Sequence, residues 1–203
     1  MTPAGPLPDT GHMARTSRVA AAAATLLLAL TACSDAAEDT AAAPEPAPLL
    51  AEHGLDGMSG REIVDHLDRL GGAERPADLM ASVRPAELIV SDGTEELAVA
   101  LPEDEFYLSV APYVDSSHEC FFHSLTTCQG ELTEADIEVT FTTADGEVLL
   151  EETTTTFANG FAGFWLPRDV EGVLEVTHDG RTGQVPVSTG AEDPTCVTTL
   201  QLT

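Results

Sequence analysis

Short apolar runs separated by turn-forming residues recur throughout residues 136–203, and this spacing constrains the fold more than any other feature of the chain. Ile137, Val139 and Phe141 alternate with polar residues, as the side chains of a half-buried strand do. Further strands are predicted at 148–157, 161–166, 173–176, 183–187 and 196–202. Strands of this length with frequent turns between them predict a small β-sandwich.

The preceding part of the chain has a different pattern. Ser59 followed by Glu62 is a capping box and predicts a helix over residues 60–70, where apolar residues recur at helical spacing. A second short helix is predicted at 77–83, followed by strands at 88–90, 97–101 and 106–114, the last an edge strand or strand end because of Pro112. The predicted fold class is therefore α+β, mainly β.

In this prediction a small N-terminal helix-plus-strands region is followed by a C-terminal β-sandwich-like domain. The first region spans residues 49–132 and carries a loop rich in cysteine and histidine. The second spans residues 133–203.

The N-terminus has the order of features expected of an export signal. Arg15 and Arg18 precede an apolar run at 19–30 that is too short for a membrane span. Leu30-Thr31-Ala32-Cys33 resembles a bacterial lipobox, so residues 1–32 are predicted to be a lipoprotein signal peptide. The alternative is a plain secretory signal with an incidental Cys33, and either Met1 or Met13 can be the true start.

Residues 33–48 are then predicted to be a lipidated cysteine and a disordered linker, because they are rich in Ala, Pro and acidic residues and lack apolar periodicity. The expected location is the outer face of the cytoplasmic membrane, where the protein is held by its N-terminal lipid.

The charge of the chain excludes one class of partner. The net charge is −27, with eight Lys and Arg residues against 35 Asp and Glu residues. Such a surface repels nucleic acid and anionic lipid, so no nucleic-acid partner is expected and membrane contact is expected only through the lipid.

Three cysteines remain once Cys33 is assigned to the lipid: Cys120, Cys128 and Cys196. Thiols tend to pair in an oxidising compartment, and an odd number leaves one over. The alternatives are a local Cys120–Cys128 disulfide, a pairing that includes Cys196, or a metal site that uses the thiols.

The segment HECFFHSLTTCQGEL (118–132) brings imidazoles and thiols together in one loop. Thiolate and imidazole are the ligands that soft or borderline metals prefer, so copper as Cu(I) is favoured, with zinc as an alternative. With no Lys or Arg nearby in sequence, a bound metal is expected to drive thiol deprotonation. The candidate metal ligands are Cys128, Cys196, Cys120, His123 and His118, whereas His66 and His178 are expected to lie outside the site.

Between these ligands lie Phe121 and Phe122. One of them is expected to pack into the core and pin the loop, and the pair is a candidate shield for a bound metal. No catalytic constellation is evident beyond the cysteines.

Several segments together resemble the CueP family of periplasmic copper-resistance proteins. They are VRPAELIVSDG (83–93), FYLSVAPYV (106–114) and HECFFHSLTTCQGEL (118–132), with a late cysteine at Cys196. The resemblance implies copper binding outside the cytoplasm, defence against copper stress, and delivery of copper to a client such as a Cu,Zn superoxide dismutase. It also implies thiol-dependent reduction of Cu(II) to Cu(I), with Cys128 and Cys196 as the pair most implicated in copper binding.

Three functions are consistent with these features. The first is an extracytoplasmic copper-binding protein that sequesters or delivers copper and supports copper resistance. The second is a cupric reductase that uses the same cysteines. The third is a structural β-sandwich lipoprotein whose cysteines only form a disulfide.

Overall fold

The computed structural model describes residues 47–203. The predicted signal peptide, the lipidated Cys33 and nearly all of the predicted linker lie outside the described residues. Within this range, no helix is long and apolar enough to cross a membrane.

Two short helices precede the strands. Helix α1 is Pro48–Glu52 and helix α2 is Gly60–Leu67. Ser59 caps α2 through the predicted capping box, since its side chain accepts from the Glu62 N–H while the Glu62 carboxylate accepts from the Ser59 N–H. The predicted helix at this position is confirmed, although it ends a turn earlier than expected.

Apart from a short 3-10 helix at Gly72–Glu74, the remaining elements of the described residues are strands, which confirms the predicted α+β, mainly β class. In chain order they are β1 (Met80–Val83), β2 (Glu87–Ser91), β3 (Glu96–Ala100), β4 (Glu105–Val110), β5 (His123–Ser124), β6 (Asp136–Thr143), β7 (Val148–Thr155), β8 (Ala162–Pro167), β9 (Glu171–His178), β10 (Arg181–Ser188) and β11 (Cys196–Val197). They form three sheets with the orders β3-β2-β1-β5, β10-β9-β6-β7 and β11-β4-β8.

The prediction of a second helix at 77–83 is wrong, because residues 80–83 form β1. Ala81 and Val83 are buried while Met80 is exposed, which is the two-residue period of a strand. This segment pairs in antiparallel register with β2 from Met80 opposite Ser91 to Val83 opposite Leu88. Its other side pairs with β5, and pairing on both sides overrides the local helical tendency of the segment.

The sandwich core lies between the β6 sheet and the β4 sheet. Apolar side chains of both sheets form one buried cluster, which includes Phe106, Phe141, Phe164 and Leu174. A second cluster packs α1, α2, β1 and β2 against the other face of β4, where Tyr107 is buried.

Strand β4 lies between β11 and β8 in its sheet, so of the two expectations for Pro112 the edge strand is wrong. The strand end is confirmed, because β4 ends at Val110, before Pro112. Strand β4 pairs with β8, so this sheet crosses the predicted boundary between residues 132 and 133. That boundary stays a prediction. The last predicted strand is shorter than expected, since only Cys196–Val197 is a strand and a single bridge joins Tyr113 to Gln201.

Candidate metal centre

Strand β5 anchors the loop of residues 118–128 at the edge of the first sheet. His123 pairs with Val83 in antiparallel register. Beside it, the Leu125 N–H donates to the Ala81 carbonyl at 2.8 Å, and the Leu125 side chain is fully buried. This pairing explains why His123 has no exposed surface although it belongs to a loop-like segment.

Strand β11 brings Cys196 to the same place from the far end of the chain. Cys196 pairs with Ser109 of β4 in parallel register, and its N–H donates to the Phe121 carbonyl at 3.2 Å. Its side chain is buried and forms a disulfide with Cys120. Of the pairings left open by the sequence, the structure therefore contains Cys120–Cys196 and not the local Cys120–Cys128 bridge.

Cys128 is a free, half-buried thiol beside this disulfide. Its Sγ lies 3.6 Å from the Cys120 Sγ and accepts from the Ser124 N–H at 3.4 Å. Arg75 donates to the Cys128 carbonyl at 2.6 Å and so fixes the end of the loop. With His118, Cys128 lines a shallow depression on the surface, so reagents in solution have access to this sulfur.

Four donor atoms converge at this point. The Sγ atoms of Cys120, Cys128 and Cys196 and a ring nitrogen of His123 all lie within 4.8 Å of one another. Nδ1 of His123 lies 3.7 Å from the Cys196 Sγ. Three sulfurs and one imidazole suit a soft ion such as Cu(I). The donor set fits the ion only when the cysteines are reduced, because the Cys120–Cys196 disulfide leaves only Cys128 and His123 of this set as free donors.

A fully buried carboxylate lies behind His123. Oδ1 of Asp68 is 2.7 Å from Nε2 of His123 and accepts from Nδ2 of Asn159 at 2.9 Å. Its other oxygen, Oδ2, accepts from the Tyr107 hydroxyl at 2.5 Å and the Ser109 hydroxyl at 3.3 Å. A buried charge is tolerated when it is paired and hydrogen-bonded in this way.

The protonation states of His123 and Asp68 depend on each other. Burial disfavours the imidazolium of His123, but the charge and hydrogen bond of Asp68 outweigh burial and raise the pKa of His123 to about 9. Burial also opposes ionisation of Asp68, yet the charge of His123 and the surrounding hydrogen bonds leave the pKa of this carboxyl below its usual value.

Cys128 is affected in the opposite direction to an ordinary buried thiol. Burial raises its pKa, but the hydrogen bond and charge of His123, with further hydrogen bonds from His118 and the Ser124 N–H, lower the pKa to about 7. The expectation that ionisation of this thiol depends on bound metal is therefore wrong, because the folded chain itself supplies the stabilising charge.

Alkylation of Cys128 is expected to follow this pKa. In the oxidised chain carrying Cys33→Ser, the rate of reaction with iodoacetamide should rise with pH and reach half its maximum near pH 7, since only the thiolate reacts. Mass spectrometry of samples quenched at each pH measures the rate. The denatured chain with its disulfide intact is the control and should show the higher midpoint of an ordinary thiol. An identical midpoint in the folded and denatured chains would contradict the coupling to His123.

Other residues singled out in the sequence lie outside the four-atom cluster. His118 is exposed and is connected to the site through Cys128. His66 is exposed on α2, and His178 makes a hydrogen bond with the Asp136 carbonyl. Phe121 and Phe122 are 54% and 38% exposed, so the expectation that one of them packs into the core is wrong. They form an edge-to-face pair on the surface instead.

Sequence reasoning missed Asp68, Tyr107 and Asn159. Asp68 follows Val64 by one helical turn and therefore lies on the buried side of α2, where a charged residue is rarely placed without a partner. A charged residue on the buried side of a predicted helix was therefore the sequence signal that could have identified Asp68. The partners come from β4, β5 and the turn before β8, and no local pattern connects those elements.

Together, the fold and the donor set define a small β-rich protein with a sulfur-rich group able to hold a soft metal ion. The family model described as "Periplasmic copper-binding protein CueP" matches residues 62–201. The chain belongs to this CueP family. It is also similar to the solved structure "Crystal Structure of S.CueP", with 41% sequence identity and a TM-score of 0.72 over 76% of this chain and 94% of that chain. No curated protein matches the chain in sequence.

Proposed function

We propose that this protein binds Cu(I) outside the cytoplasm and sequesters or delivers it, thereby supporting copper resistance. The ligands are Cys128, Cys196 and Cys120 with His123, and His118 assists at the open side. The observation that carries the proposal is the convergence of four soft or borderline donors within 4.8 Å. Family membership supports copper as the cargo.

The donor chemistry favours Cu(I) over zinc. Cu(I) binds well to a set dominated by thiolates, and the four-donor group contains three sulfurs and no carboxylate. The Asp68 carboxylate is directed at the far nitrogen of His123. Zinc remains an alternative ligand because it also accepts cysteine and histidine.

Copper binding in this arrangement depends on the redox state of the chain. The Cys120–Cys196 disulfide occupies two of the three sulfurs, and reduction makes both available beside Cys128. The reduced chain is therefore the copper-binding form, and the oxidised chain retains one thiol and one imidazole.

An anaerobic competition titration tests this proposal. The full chain with Cys33→Ser, reduced and then freed of reductant, is titrated with Cu(I) against a coloured chelator. We expect one tightly bound equivalent in the reduced chain and much weaker binding in the oxidised chain. A parallel titration with Zn(II) measures selectivity. If the reduced chain fails to compete with the chelator, the cysteines are structural and the proposal is wrong.

A second candidate function is reduction of Cu(II), which the observed disulfide favours. Two thiols of the reduced chain, Cys120 and Cys196, would lose two electrons and two protons to form the disulfide, and two Cu(II) ions would each gain one electron. The product of that reaction is the disulfide seen here.

This second function predicts a fixed stoichiometry. The reduced chain should convert about two Cu(II) to Cu(I) per molecule, because the oxidation of two thiols to one disulfide releases two electrons. A Cu(I)-specific chromophore measures the product, and Cys120→Ser, which cannot form this disulfide, is the control. Continued turnover with an added thiol would indicate an enzyme, whereas a single burst would indicate that reduction only accompanies binding. If Cys120→Ser reduced as much Cu(II) as the unmodified chain, the pair of thiols of Cys120 and Cys196 would be excluded as the electron source.

The location and the client of the protein are part of the same proposal. Lipid attachment at Cys33 would hold the copper site at the outer face of the cytoplasmic membrane, and residues 34–48 would serve as a tether. Delivery would then be to a copper-accepting client such as a Cu,Zn superoxide dismutase.

A further inference from the structure

The two nitrogens of His123 face different surroundings. Nδ1 lies 3.7 Å from the Cys196 Sγ, on the side where the sulfurs converge. Nε2 lies 2.7 Å from Oδ1 of Asp68, on the opposite side of the ring. Both side chains have no exposed surface, so water does not compete for either nitrogen's partner.

Every side chain that contacts the Asp68 carboxylate can donate a hydrogen to it. The Tyr107 hydroxyl, the Ser109 hydroxyl and the Asn159 amide all do so, and Nε2 of His123 is the fourth. An ionised carboxylate only accepts, so the proton between Asp68 and His123 belongs on Nε2.

We propose that Asp68 is a positioning residue for the metal centre. It holds a proton on Nε2 of His123, so that Nδ1 is the nitrogen that gives up its proton and binds the metal on the side of the sulfur cluster. The inference rests on the proposed function, because it concerns how His123 becomes a ligand of the same site. A carboxylate that orients a ligating histidine through its second nitrogen is a recurring device of metal sites.

The position of Asp68 explains why this orientation is rigid. Asp68 is the C-cap residue that directly follows α2, and its N–H donates to the Val64 carbonyl at 3.0 Å. Its own carbonyl accepts from Nδ2 of Asn159 at 2.5 Å. Tyr107 comes from β4, and Gly163 of β8 leaves room for the Tyr107 ring, since a Cβ there would overlap the hydroxyl. Four separate elements therefore fix the carboxylate against which His123 is oriented.

The test compares variants that keep or remove this contact. Asp68→Asn has the same shape, its amide oxygen can still accept from Nε2, and its amide group can donate to the Tyr107 hydroxyl. Asp68→Ala removes the acceptor. His123→Ala and the double variant Asp68→Ala/His123→Ala complete a thermodynamic cycle, and Tyr107→Phe removes a different hydrogen bond to the same carboxylate.

Cu(I) affinity is measured for each variant in the full chain with Cys33→Ser. We expect Asp68→Ala to lose about 10- to 100-fold in affinity, as other outer partners of metal ligands do, and Asp68→Asn to lose much less. The double variant should bind no more weakly than His123→Ala, because Asp68 acts only through His123. Tyr107→Phe keeps the contact between Asp68 and His123, so it should lower stability to urea and reduce Cu(I) affinity by less than Asp68→Ala does.

A spectroscopic measurement gives a second readout that does not depend on affinity. In the Cu(I)-loaded chain, ¹⁵N NMR of His123 should show the proton on Nε2 and a metal-shifted Nδ1. A proton on Nδ1 would overturn the inference even if copper binds tightly. Two results of the affinity measurements would also overturn it. One is a Cu(I) affinity of the double variant that falls below that of His123→Ala by as much as Asp68→Ala lowers the affinity of the unmodified chain. The other is an unchanged Cu(I) affinity of His123→Ala.

These outcomes separate the inference from the proposed function. If the reduced unmodified chain does not bind Cu(I), the proposed function fails first. If it binds Cu(I) and the variants at position 68 leave both affinity and the NMR signature unchanged, only the role of Asp68 fails. Should Asp68→Ala not fold, Asp68→Asn with the NMR readout still decides the question, because a ring protonated on Nδ1 in the Cu(I)-loaded unmodified chain contradicts the inference.

Discussion

Reduction of the Cys120–Cys196 disulfide is expected to lower the free energy of unfolding by about 4 kcal/mol, given the 76-residue separation of the two cysteines. The bond closes a long loop and so removes conformational freedom from the unfolded chain. It also joins the 118–128 loop to β11 in the folded chain. Urea unfolding with and without a phosphine reductant measures the difference. Unfolding is monitored by the fluorescence of Trp165, the single tryptophan of the chain.

Two variants control this experiment. Cys128→Ser leaves the disulfide intact and should remain as sensitive to the reductant as the unmodified chain. The double variant Cys120→Ala/Cys196→Ala should be insensitive to the reductant and resemble the reduced unmodified chain. Equal stability of the oxidised and reduced chains would show that this bond does not contribute to the stability of the fold.

Copper should reverse part of this loss. A ligand that binds only the folded chain stabilises it in proportion to the logarithm of its concentration over its dissociation constant. Cu(I) added to the reduced chain should therefore raise the urea midpoint, and it should have little effect on the oxidised chain, in which two of the sulfurs are already bonded.

Replacing Cys128 by serine is expected to reduce Cu(I) affinity by on the order of 100-fold or more, since loss of a ligand should exceed the loss seen for outer partners. A serine hydroxyl is a hard, protonated donor and a poor substitute for a thiolate. The fold should survive, because Cys128 is half-buried and outside the disulfide. Chelator competition with the reduced chain measures the affinity.

The control for this substitution is His66→Gln, which changes an exposed side chain on α2 that does not reach the site. Its Cu(I) affinity should match that of the unmodified chain. The disulfide content of oxidised Cys128→Ser should also be unchanged, as free-thiol counting would show. Tight Cu(I) binding by Cys128→Ser would remove this cysteine from the ligand set and leave Cys120 and Cys196 as the sulfur donors.

Features set by neighbouring residues were predictable. The capping box at Ser59 and Glu62 starts α2 as expected, and the alternation of Ile137, Val139 and Phe141 correctly predicts the buried face of β6. Both signals depend on interactions within a few residues, for which the period of the pattern suffices. The same reasoning failed at residues 77–83, where pairing with β2 on one side and with the distant strand β5 on the other decides the conformation.

Part of the metal centre could also be predicted from a single segment of the sequence. His123 and Cys128 belong to one short segment, and their residue types alone indicate a soft-metal site. Cys196 was a candidate from the sequence, but its pairing with Cys120 was open. The register of β11 on β4 decides it, since Cys196 lies opposite Ser109 and hydrogen-bonds the Phe121 backbone.

The sequence by itself thus determined the strand-rich class of the fold, the start of α2 and the chemical type of the site, because these depend on local periodicity and on which donor atoms the residues carry. Only the tertiary structure decided which sulfurs are bonded, where β1 runs, and that Asp68 lies behind His123. The disulfide joins residues 76 positions apart and the contact between Asp68 and His123 joins residues 55 positions apart, while β1 is fixed by pairing with β2 and β5. These contacts arise from sheet pairing and core packing that no local pattern encodes.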